Sequence, residues 1–272
     1  MKTTRQRALF LALTTTATSV LAQLTPGNGT GLTADANTVA LYRFEDAAAT
    51  ALDSSGNTRN ATIYGTTAGP GLFGSGRVFD GVDDRLELGT MFNALSGSAA
   101  WTIEYFAKSN DGANVPYLTN ANPSAGWYFV PADGSIGYGV KTTWDGNSWN
   151  VLTSVSAPAL DTAWHYYALT FTAYGTLSVY RDGTFLGSSN TFGAWSGSNS
   201  YGVWLDYDSY WTTYNGAGIV DDLRFSNVAR SAGEIQAAYN LAAIPEPSTY
   251  AALAGLGALG FAVWRRGLIT CV

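Results

Sequence analysis

Four acidic residues stand at places in the sequence where carboxylates could bind calcium. Glu45 ends a strand-like run, Asp53 opens an Asp-Ser-Ser-Gly turn, and the pair Asp221 and Asp222 enters a late strand-like run. Calcium takes carboxylate and backbone carbonyl oxygens and favours acidic loops outside the cell. Glu45, Asp53 and Asp222 are therefore the predicted ligands, provided that the fold makes the first and last strands neighbours.

The same carboxylates have a structural alternative. Asp53 can accept backbone hydrogen bonds in an Asx-turn, and Asp222 can form an ion pair with Arg224 or Arg43. Asp83-Asp84 is a weaker metal candidate, which the sequence places in a turn at the edge of a strand. Only a bound ion makes thermal stability depend on a chelator, so the two interpretations are separable by experiment.

Two segments combine aromatic and short polar residues in the way that a carbohydrate site requires. They run from Trp144 to Trp149 and from Trp204 to Trp211. Aromatic faces stack on sugar rings, while short polar side chains bond hydroxyl groups. Trp144, Trp149, Tyr210 and Trp211 are the predicted sugar-binding residues. The alternative is that they fill the core, because the chain contains 9 Trp, 16 Tyr and 12 Phe.

Sequence patterns typical of catalytic sites are weaker than those for calcium or carbohydrate binding. Glycoside hydrolysis needs two carboxylates about 5 to 9 Å apart, whereas the glutamates of the middle region are scattered along the sequence: Glu45, Glu87, Glu104 and Glu234. Helix capping accounts for Glu234, and the solvent face of a strand accounts for Glu87 and Glu104. The single histidine, His165, lies between a tryptophan and a tyrosine, where a packed structural role is expected. The sequence therefore predicts a protein that is not an enzyme.

Charge is unevenly distributed and excludes one class of partner. Residues 23–244 contain 7 Arg and 2 Lys against 15 Asp and 4 Glu, a net charge of −10. Such an acidic domain does not suit nucleic acid, whose binding depends on basic surface. Net positive charge occurs only at the two ends, beside apolar runs, which is typical of segments that enter membranes.

The N-terminal end is typical of a secretory signal peptide. Residues 1–22 begin with a basic stretch, continue with an apolar run and end in small residues before an expected cleavage site. Residues 23–37 form a lead-in to the domain. The only cysteine is Cys271, so the domain has no internal disulfide and must be stabilised by core burial, helped by a metal.

The C-terminal end has three parts in a fixed order. A proline-rich break comes first, an uncharged run covers 250–264, and a basic pair follows; the break is Pro245, Glu246, Pro247, Ser248 and Thr249, and the pair is Arg265 and Arg266. As a helix the run would span roughly 22 Å, short of the roughly 30 Å hydrocarbon layer. This order resembles the PEP-CTERM sorting signal, which an exosortase recognises. The resemblance implies a helix in the inner membrane before processing, with 244–266 as the signal and 267–272 as a tail.

The region between the two ends predicts an all-β fold. Short alternating runs are separated by turns; one run, Trp101–Lys108, has its apolar residues at every second position. Asp182-Gly183 lies between two strand-like runs and predicts a hairpin. Ser231 and Glu234 fit a capping box at the start of one short late helix. These features predict a single antiparallel two-sheet sandwich or jelly roll.

Seven sequence blocks in order resemble the laminin G-like, concanavalin A-like jelly roll over residues 38–243. The blocks are Leu41–Glu45, Leu52–Asn57, Val78–Asp84, Trp101–Glu104, Trp164–Ala168, Val179–Gly183 and Ile219–Phe225. The resemblance implies a structural calcium that ties the ends of the domain. The family includes lectins, adhesion modules and glucanases, but the Glu-x-Asp-x-x-Glu motif of the glucanases does not occur in this sequence.

Together these features predict an exported bacterial protein of the cell envelope, outer surface or extracellular matrix. It is expected to bind envelope or matrix polysaccharide, or a partner protein, through a calcium-stabilised jelly roll. A structural spacer without a glycan ligand is the alternative, and a glycoside hydrolase ranks third.

Overall fold

The structure is a computed structural model that describes residues 24, 31–46, 49–89, 100–112, 114–119, 128–130, 138–144, 149–155, 158–173, 176–189, 203–206 and 216–243. The signal peptide and the sorting segment predicted from the sequence lie outside these residues. Within them, no helix is both long enough and apolar enough to cross a membrane.

The described residues form sixteen strands and one helix. In chain order these are β1 (Thr38–Tyr42), β2 (Thr50–Ala51), β3 (Ala61–Tyr64), β4 (Thr67–Pro70), β5 (Ser75–Asp80), β6 (Arg85–Gly89), β7 (Trp101–Ser109), β8 (Leu118–Thr119), β9 (Tyr128–Val130), β10 (Tyr138–Trp144), β11 (Trp149–Val155), β12 (Trp164–Phe171), β13 (Leu177–Arg181), β14 (Thr184–Ser189), β15 (Val203–Leu205), β16 (Ala217–Ser226) and α1 (Ala232–Ala242).

The strands pair into two antiparallel sheets. Sheet A has the spatial order β14-β13-β12-β7-β16-β5-β4, and β1 also pairs with β16. Sheet B has the order β11-β10-β9-β8-β15-β6-β3-β2. The all-β, two-sheet class predicted from the sequence is confirmed, and the first and last strands are neighbours, as the calcium prediction required.

The main core lies between the inner faces of the two sheets. Trp101, Ile103 and Tyr105 of β7 point into it, as the alternation of this strand predicted. Leu86 and Leu88 of β6 enter the same cluster from sheet B. Each such side chain contributes about 1.5–3 kcal/mol when it is fully buried, which allows a domain without an internal disulfide to be stable.

Helix α1 covers the outer face of sheet A. Its residues Ile235 and Tyr239 pack into a second cluster with Phe106 of β7 and Tyr166 of β12. Ser231 caps the helix and exchanges hydrogen bonds with the third helical residue, so the predicted capping box is confirmed. Strand β7 is consequently buried on both faces.

This double burial corrects one prediction. Glu104 was expected on the solvent face of a strand, but its side chain is fully buried. The expectation failed because the second face of β7 is covered by α1 and by the segment before β1. In place of water, Arg224 and Arg230 surround the carboxylate, and the Tyr166 hydroxyl donates a hydrogen bond to it at 2.5 Å.

Candidate functional site

The acidic pair of the last strand lies at a bulge in β16. One edge of this strand pairs with β7, while the other pairs first with β5 and then with β1. The register against β7 shifts between Asp221 and Arg224, and Asp222 has a φ of 45°. A bulge interrupts the alternation of side chains, so Asp221 and Asp222 are both buried beside the loops at the gap between β5 and β1.

Asp221 holds the loop that joins β4 to β5. Its Oδ2 accepts hydrogen bonds from the N–H groups of Leu72 and Phe73, each at 2.8 Å. Burial raises the pKa of Asp221 to about 8, and the negative charge of Asp222 adds to the rise, although the backbone hydrogen bonds oppose it. Burial therefore favours the neutral, protonated form of this carboxyl group at neutral pH.

Asp222 is also buried, and Arg43 is its ion-pair partner. Burial raises its pKa to about 6; Arg43 lowers the pKa and Glu45 raises it. The Arg43 guanidinium lies 4.0 Å from Asp222 Oδ1, and the N–H of Leu32 donates to Oδ2. Of the two ion-pair alternatives predicted for Asp222, the structure thus has Arg43, since Arg224 is committed to Glu104.

Glycines shape the walls around these acids. A Cβ at Gly71 would lie 2.6 Å from Asp221 Oδ2, and a Cβ at Gly74 would lie 2.5 Å from Glu45 Oε1. Gly74 also has a φ of +80°, a conformation that other residues rarely adopt. Glu45 accepts a hydrogen bond from the Ser75 N–H at 3.1 Å. The backbone therefore lies close to both carboxylates and leaves no room for a side chain at Gly71 or Gly74.

Asp53 lies apart from the other two predicted ligands. It is bridged to Tyr42 on one side of β1, whereas β16 pairs with β1 on the other side. Its oxygens accept hydrogen bonds from the N–H groups of Leu41 at 3.0 Å, Ser55 at 2.8 Å and Arg59 at 3.0 Å. This is the Asx-turn arrangement of the structural alternative, and it holds the 53–59 turn against β1.

A different acidic group has carboxylate oxygens close together. Among the described residues, Asp80, Asp83 and Asp84 have oxygens that all lie within 4.8 Å of one another. Burial of Asp206, at the end of β15, raises its pKa to about 8, and the negative charges of Asp84 and Asp80 add to the rise. The Asp84 carboxylate accepts a hydrogen bond from the Asp80 N–H at 2.9 Å, as expected of a turn.

The predicted sugar-binding residues are partly described. Trp144 ends β10 and Trp149 begins β11, and the two are direct cross-strand partners at the tip of the edge hairpin of sheet B. Tyr210 and Trp211 lie outside the described residues, as do the sorting residues from 245 onward.

A further aromatic pair, Tyr64 and Trp204, was not predicted from the sequence, although Trp204 begins the 204–211 segment. Both lie on the outward face of sheet B, and their ring centroids are 5.9 Å apart. The signal was present in the alternation of β3 and β6, whose inward positions are apolar. It was hidden because the two residues are 140 positions apart in the sequence and meet only through sheet pairing.

His165 has a hydrogen-bonded structural environment. Its Nδ1 lies 2.7 Å from Asp182 Oδ2, and its Nε2 lies 3.0 Å from Asp161 Oδ1. Arg181 Nη2 lies 2.6 Å from Nε2, and Arg181 Nη1 donates to the carbonyl groups of Pro158 and Ala159 in the loop before β12. The histidine therefore joins this loop to the β13–β14 turn, in agreement with the structural role predicted for it.

The fold is an antiparallel two-sheet jelly roll. Residues 80–236, more than half of the chain, match the family model of the concanavalin A-like lectin/glucanases superfamily. The protein therefore belongs to this superfamily, as its sequence blocks suggested. Residues 243–266 match the PEP-CTERM protein-sorting motif, which indicates an exported surface protein that passes through a membrane.

Several solved structures are similar in fold. Domain 4 of AbnA, an extracellular GH43 arabinanase of Geobacillus stearothermophilus, was solved with arabinotriose; it is 18% identical with a TM-score of 0.60, and the match covers 76% of this chain and 98% of that one. The binding domain of botulinum neurotoxin DC, in complex with SialylT, is 13% identical with a TM-score of 0.55, covering 76% and 52%.

A third similar structure comes from an enzyme. The Trypanosoma rangeli sialidase, with 2,3-difluorosialic acid, is 14% identical with a TM-score of 0.53, and the match covers 75% of this chain but 33% of the sialidase. At these identities the similarity shows the fold alone. No curated protein matches the sequence significantly.

Proposed function

We propose that the protein is an exported, non-catalytic surface module that binds carbohydrate. The sorting motif supports the location, and the superfamily includes lectins. Domain 4 of the arabinanase, which this chain matches over 98% of its length, was solved with arabinotriose. A jelly roll of this outline can therefore hold a short sugar chain.

The observation that carries the proposal is the pairing of Trp144 with Trp149. Their backbones lie directly opposite each other at the hairpin tip, on the edge of sheet B. Four small or polar residues, Asp-Gly-Asn-Ser, separate the two tryptophans in the sequence. Aromatic rings beside short polar groups are what a sugar site needs, since the rings stack on the sugar and the polar groups bond its hydroxyls.

The buried acids support a role without catalysis. Glu104 is enclosed by two arginines, and Asp221 is bonded to the backbone of its loop. A glycosidase acid or base must instead reach the scissile bond of a sugar. The acids near β16 thus suit a structural calcium, for which Glu45 and Asp222 would supply carboxylate oxygens.

A glycan array tests the proposal with the full chain. We expect retention of one class of polysaccharide or oligosaccharide, with arabinotriose and longer arabinans included as probes. Trp149→Ala and Trp211→Ala should abolish that retention without unfolding the protein, while Phe185→Ala, at an exposed aromatic residue of sheet A, should leave it unchanged. Absence of retention by the wild type would favour the spacer role. Release of reducing sugar from a bound glycan would contradict the absence of catalysis.

A further inference from the structure

Three neighbouring strands of sheet B present a mixed aromatic and polar surface on its outward face. In β6, Leu86 and Leu88 point into the core, so Arg85 and Glu87 point outward. In β15, Val203 and Leu205 are buried, so Trp204 between them points outward and is half-buried. Tyr64 of β3 lies directly opposite Arg85 of β6. These four residues are called the β6 platform below.

Contacts within the β6 platform hold its rings in place. The Tyr64 and Trp204 rings approach each other across β6 with centroids 5.9 Å apart and an interplanar angle of 36°. The Arg85 guanidinium carbon lies 4.7 Å from the centroid of the Tyr64 ring. The Tyr64 hydroxyl donates to Glu87 Oε2 at 3.2 Å. A surface whose side chains are already fixed loses little conformational entropy when a ligand binds.

The β6 platform is accessible, whereas α1 covers part of the corresponding face of sheet A. Tyr64 is 36% exposed, and Trp204, Arg85 and Glu87 are each half-buried. On sheet A the outward aromatic residues, such as Phe106 and Tyr166, are covered by α1. Packing against α1 accounts for Phe106 and Tyr166 on sheet A. On sheet B, the Tyr64 ring remains exposed beside Trp204, where it can contact a ligand.

From these contacts we infer that the β6 platform binds a neutral polysaccharide, with Tyr64 and Trp204 stacking on sugar rings and Arg85 and Glu87 bonding hydroxyl groups. The inference rests on the proposed carbohydrate-binding function and adds a site and a ligand class to it. An interface with another protein would require a larger apolar core than two rings within a polar surround.

Charge around the β6 platform selects a neutral ligand. Asp80, Asp83 and Asp84 lie in the turn that leads into β6, and Arg85 Nη1 reaches back to the Asp83 carbonyl at 3.3 Å. Glu87 adds a fourth negative charge, while Arg85 is the one cation among these residues and already faces the Tyr64 ring. A polyanionic sugar would be repelled here, because like charges this close to a surface weaken association.

The register of sheet B extends the surface beyond the β6 platform. Trp204 is paired with Glu87 on one side and with Thr119 of β8 on the other, and Thr119 is paired with Tyr128 of β9. Neighbouring strands are about 4.8 Å apart, so this row of positions crosses several strands in line. A chain-shaped ligand lying across the strands matches this geometry better than a single sugar.

The test compares variants on one array that carries neutral glycans (arabinan, xylan, mannan and β-glucan) and acidic glycans (alginate and polygalacturonate). Wild type should retain a neutral glycan. Tyr64→Ala and Trp204→Ala should each weaken that binding about tenfold or more, the size expected for losing a stacked ring. Phe185→Ala is the matched control, since Phe185 is 52% exposed on the other sheet. Circular dichroism and Tm check the fold, and Tyr64→Ala keeps the test valid if Trp204→Ala fails to fold, because Tyr64 is exposed.

The outcomes separate this inference from the function on which it rests. If wild type retains no glycan, the proposed function fails and the β6 platform with it. If wild type binds a neutral glycan and Tyr64→Ala binds it equally well, the β6 platform alone is refuted and the Trp144–Trp149 hairpin remains. Retention of acidic glycans only would refute the predicted ligand class.

Discussion

Arg224 and Glu104 form a two-pronged ion pair inside the protein. Arg224 Nε donates to Glu104 Oε2 at 2.9 Å, and Nη2 donates to Oε1 at 2.7 Å. The remaining Arg224 nitrogen donates to the Thr33 carbonyl at 2.7 Å. The pair therefore joins β7 and β16 to the segment that precedes β1, and it does so between sheet A and α1, where water is excluded.

Removing the acid from this pair should be strongly destabilising. Glu104→Ala leaves Arg224 and Arg230 buried without their shared counter-charge, which costs about 3–5 kcal/mol. Urea unfolding of the purified chain measures the loss. Glu87→Ala is the matched control on the solvent face of β6, where losing one hydrogen bond costs about 1 kcal/mol. An equal loss of unfolding free energy in the two variants would show that the buried ion pair stabilises the protein no more than a surface hydrogen bond does.

Stability should fall as pH rises from about 4 to about 8, in part because of Asp206. Both oxygens of its carboxylate accept from the Gly216 N–H at 2.9 Å, and burial raises the pKa to about 8 from an ordinary value of 3.8. Between these values the folded state binds a proton that the unfolded state has lost, so the free energy of unfolding decreases with pH. Asp206→Asn should flatten this slope, measured as Tm against pH with chelator present.

Glu234 provides a control of opposite sign. The hydrogen bond from the Ser231 N–H lowers the pKa of Glu234, so its contribution is present at neutral pH and is lost as pH falls through the folded value. Glu234→Gln should therefore change the acid limb of the profile and leave the slope between pH 6 and 8 unchanged. If Asp206→Asn also leaves that slope unchanged, Asp206 does not titrate in this range.

Much of the fold was predictable because strands and turns leave local signals. Alternation in Trp101–Lys108 gave the inward face of β7, and Asp182-Gly183 gave the β13–β14 turn, where both residues have positive φ. Glu104 could not be predicted, since the cover on its face comes from α1, more than a hundred residues later. Local pattern shows that a residue points away from one core, but not whether a second layer covers it.

The candidate sites were less predictable for a related reason. The first and last strands are neighbours, as predicted, and the charge of Glu45 raises the pKa of Asp222. The same argument did not exclude Asp53, whose position across β1 depends on how the 53–59 turn folds back. Tyr64 and Trp204 meet only because β6 lies between their strands, and no spacing in the sequence encodes that order.

Calcium should stabilise the domain through the acids beside the β16 bulge. A bound divalent cation would neutralise buried carboxylates whose pKa values are raised, and any ligand that binds only the folded state raises the free energy of unfolding. We expect a chelator to lower Tm and added calcium to restore it. The response should disappear in Asp222→Asn. A Tm that does not change with chelator or with calcium would rule out the metal.

Asp53→Asn distinguishes a ligand from a turn residue. Because Asp53 bonds three backbone N–H groups on the far side of β1, the variant should lower Tm but keep the full response to calcium. If Asp53→Asn loses the Tm response to calcium, Asp53 is a calcium ligand, as predicted from the sequence. Isothermal titration with calcium alone gives the same comparison without heating.

The sorting motif predicts where the mature protein ends. Residues 243–266 match the PEP-CTERM motif, which implies processing by an exosortase. Intact mass of protein recovered from its native envelope or medium should therefore lack the signal peptide and everything beyond the Pro-Glu-Pro motif. Alanine at Pro245, Glu246 and Pro247 should leave the C-terminal residues attached, while Phe185→Ala, at an exposed residue outside the motif, should not. A wild-type mass that retains 261–272 would mean that the domain stays joined to its C-terminal segment, and its ligands would then be sought at the membrane surface.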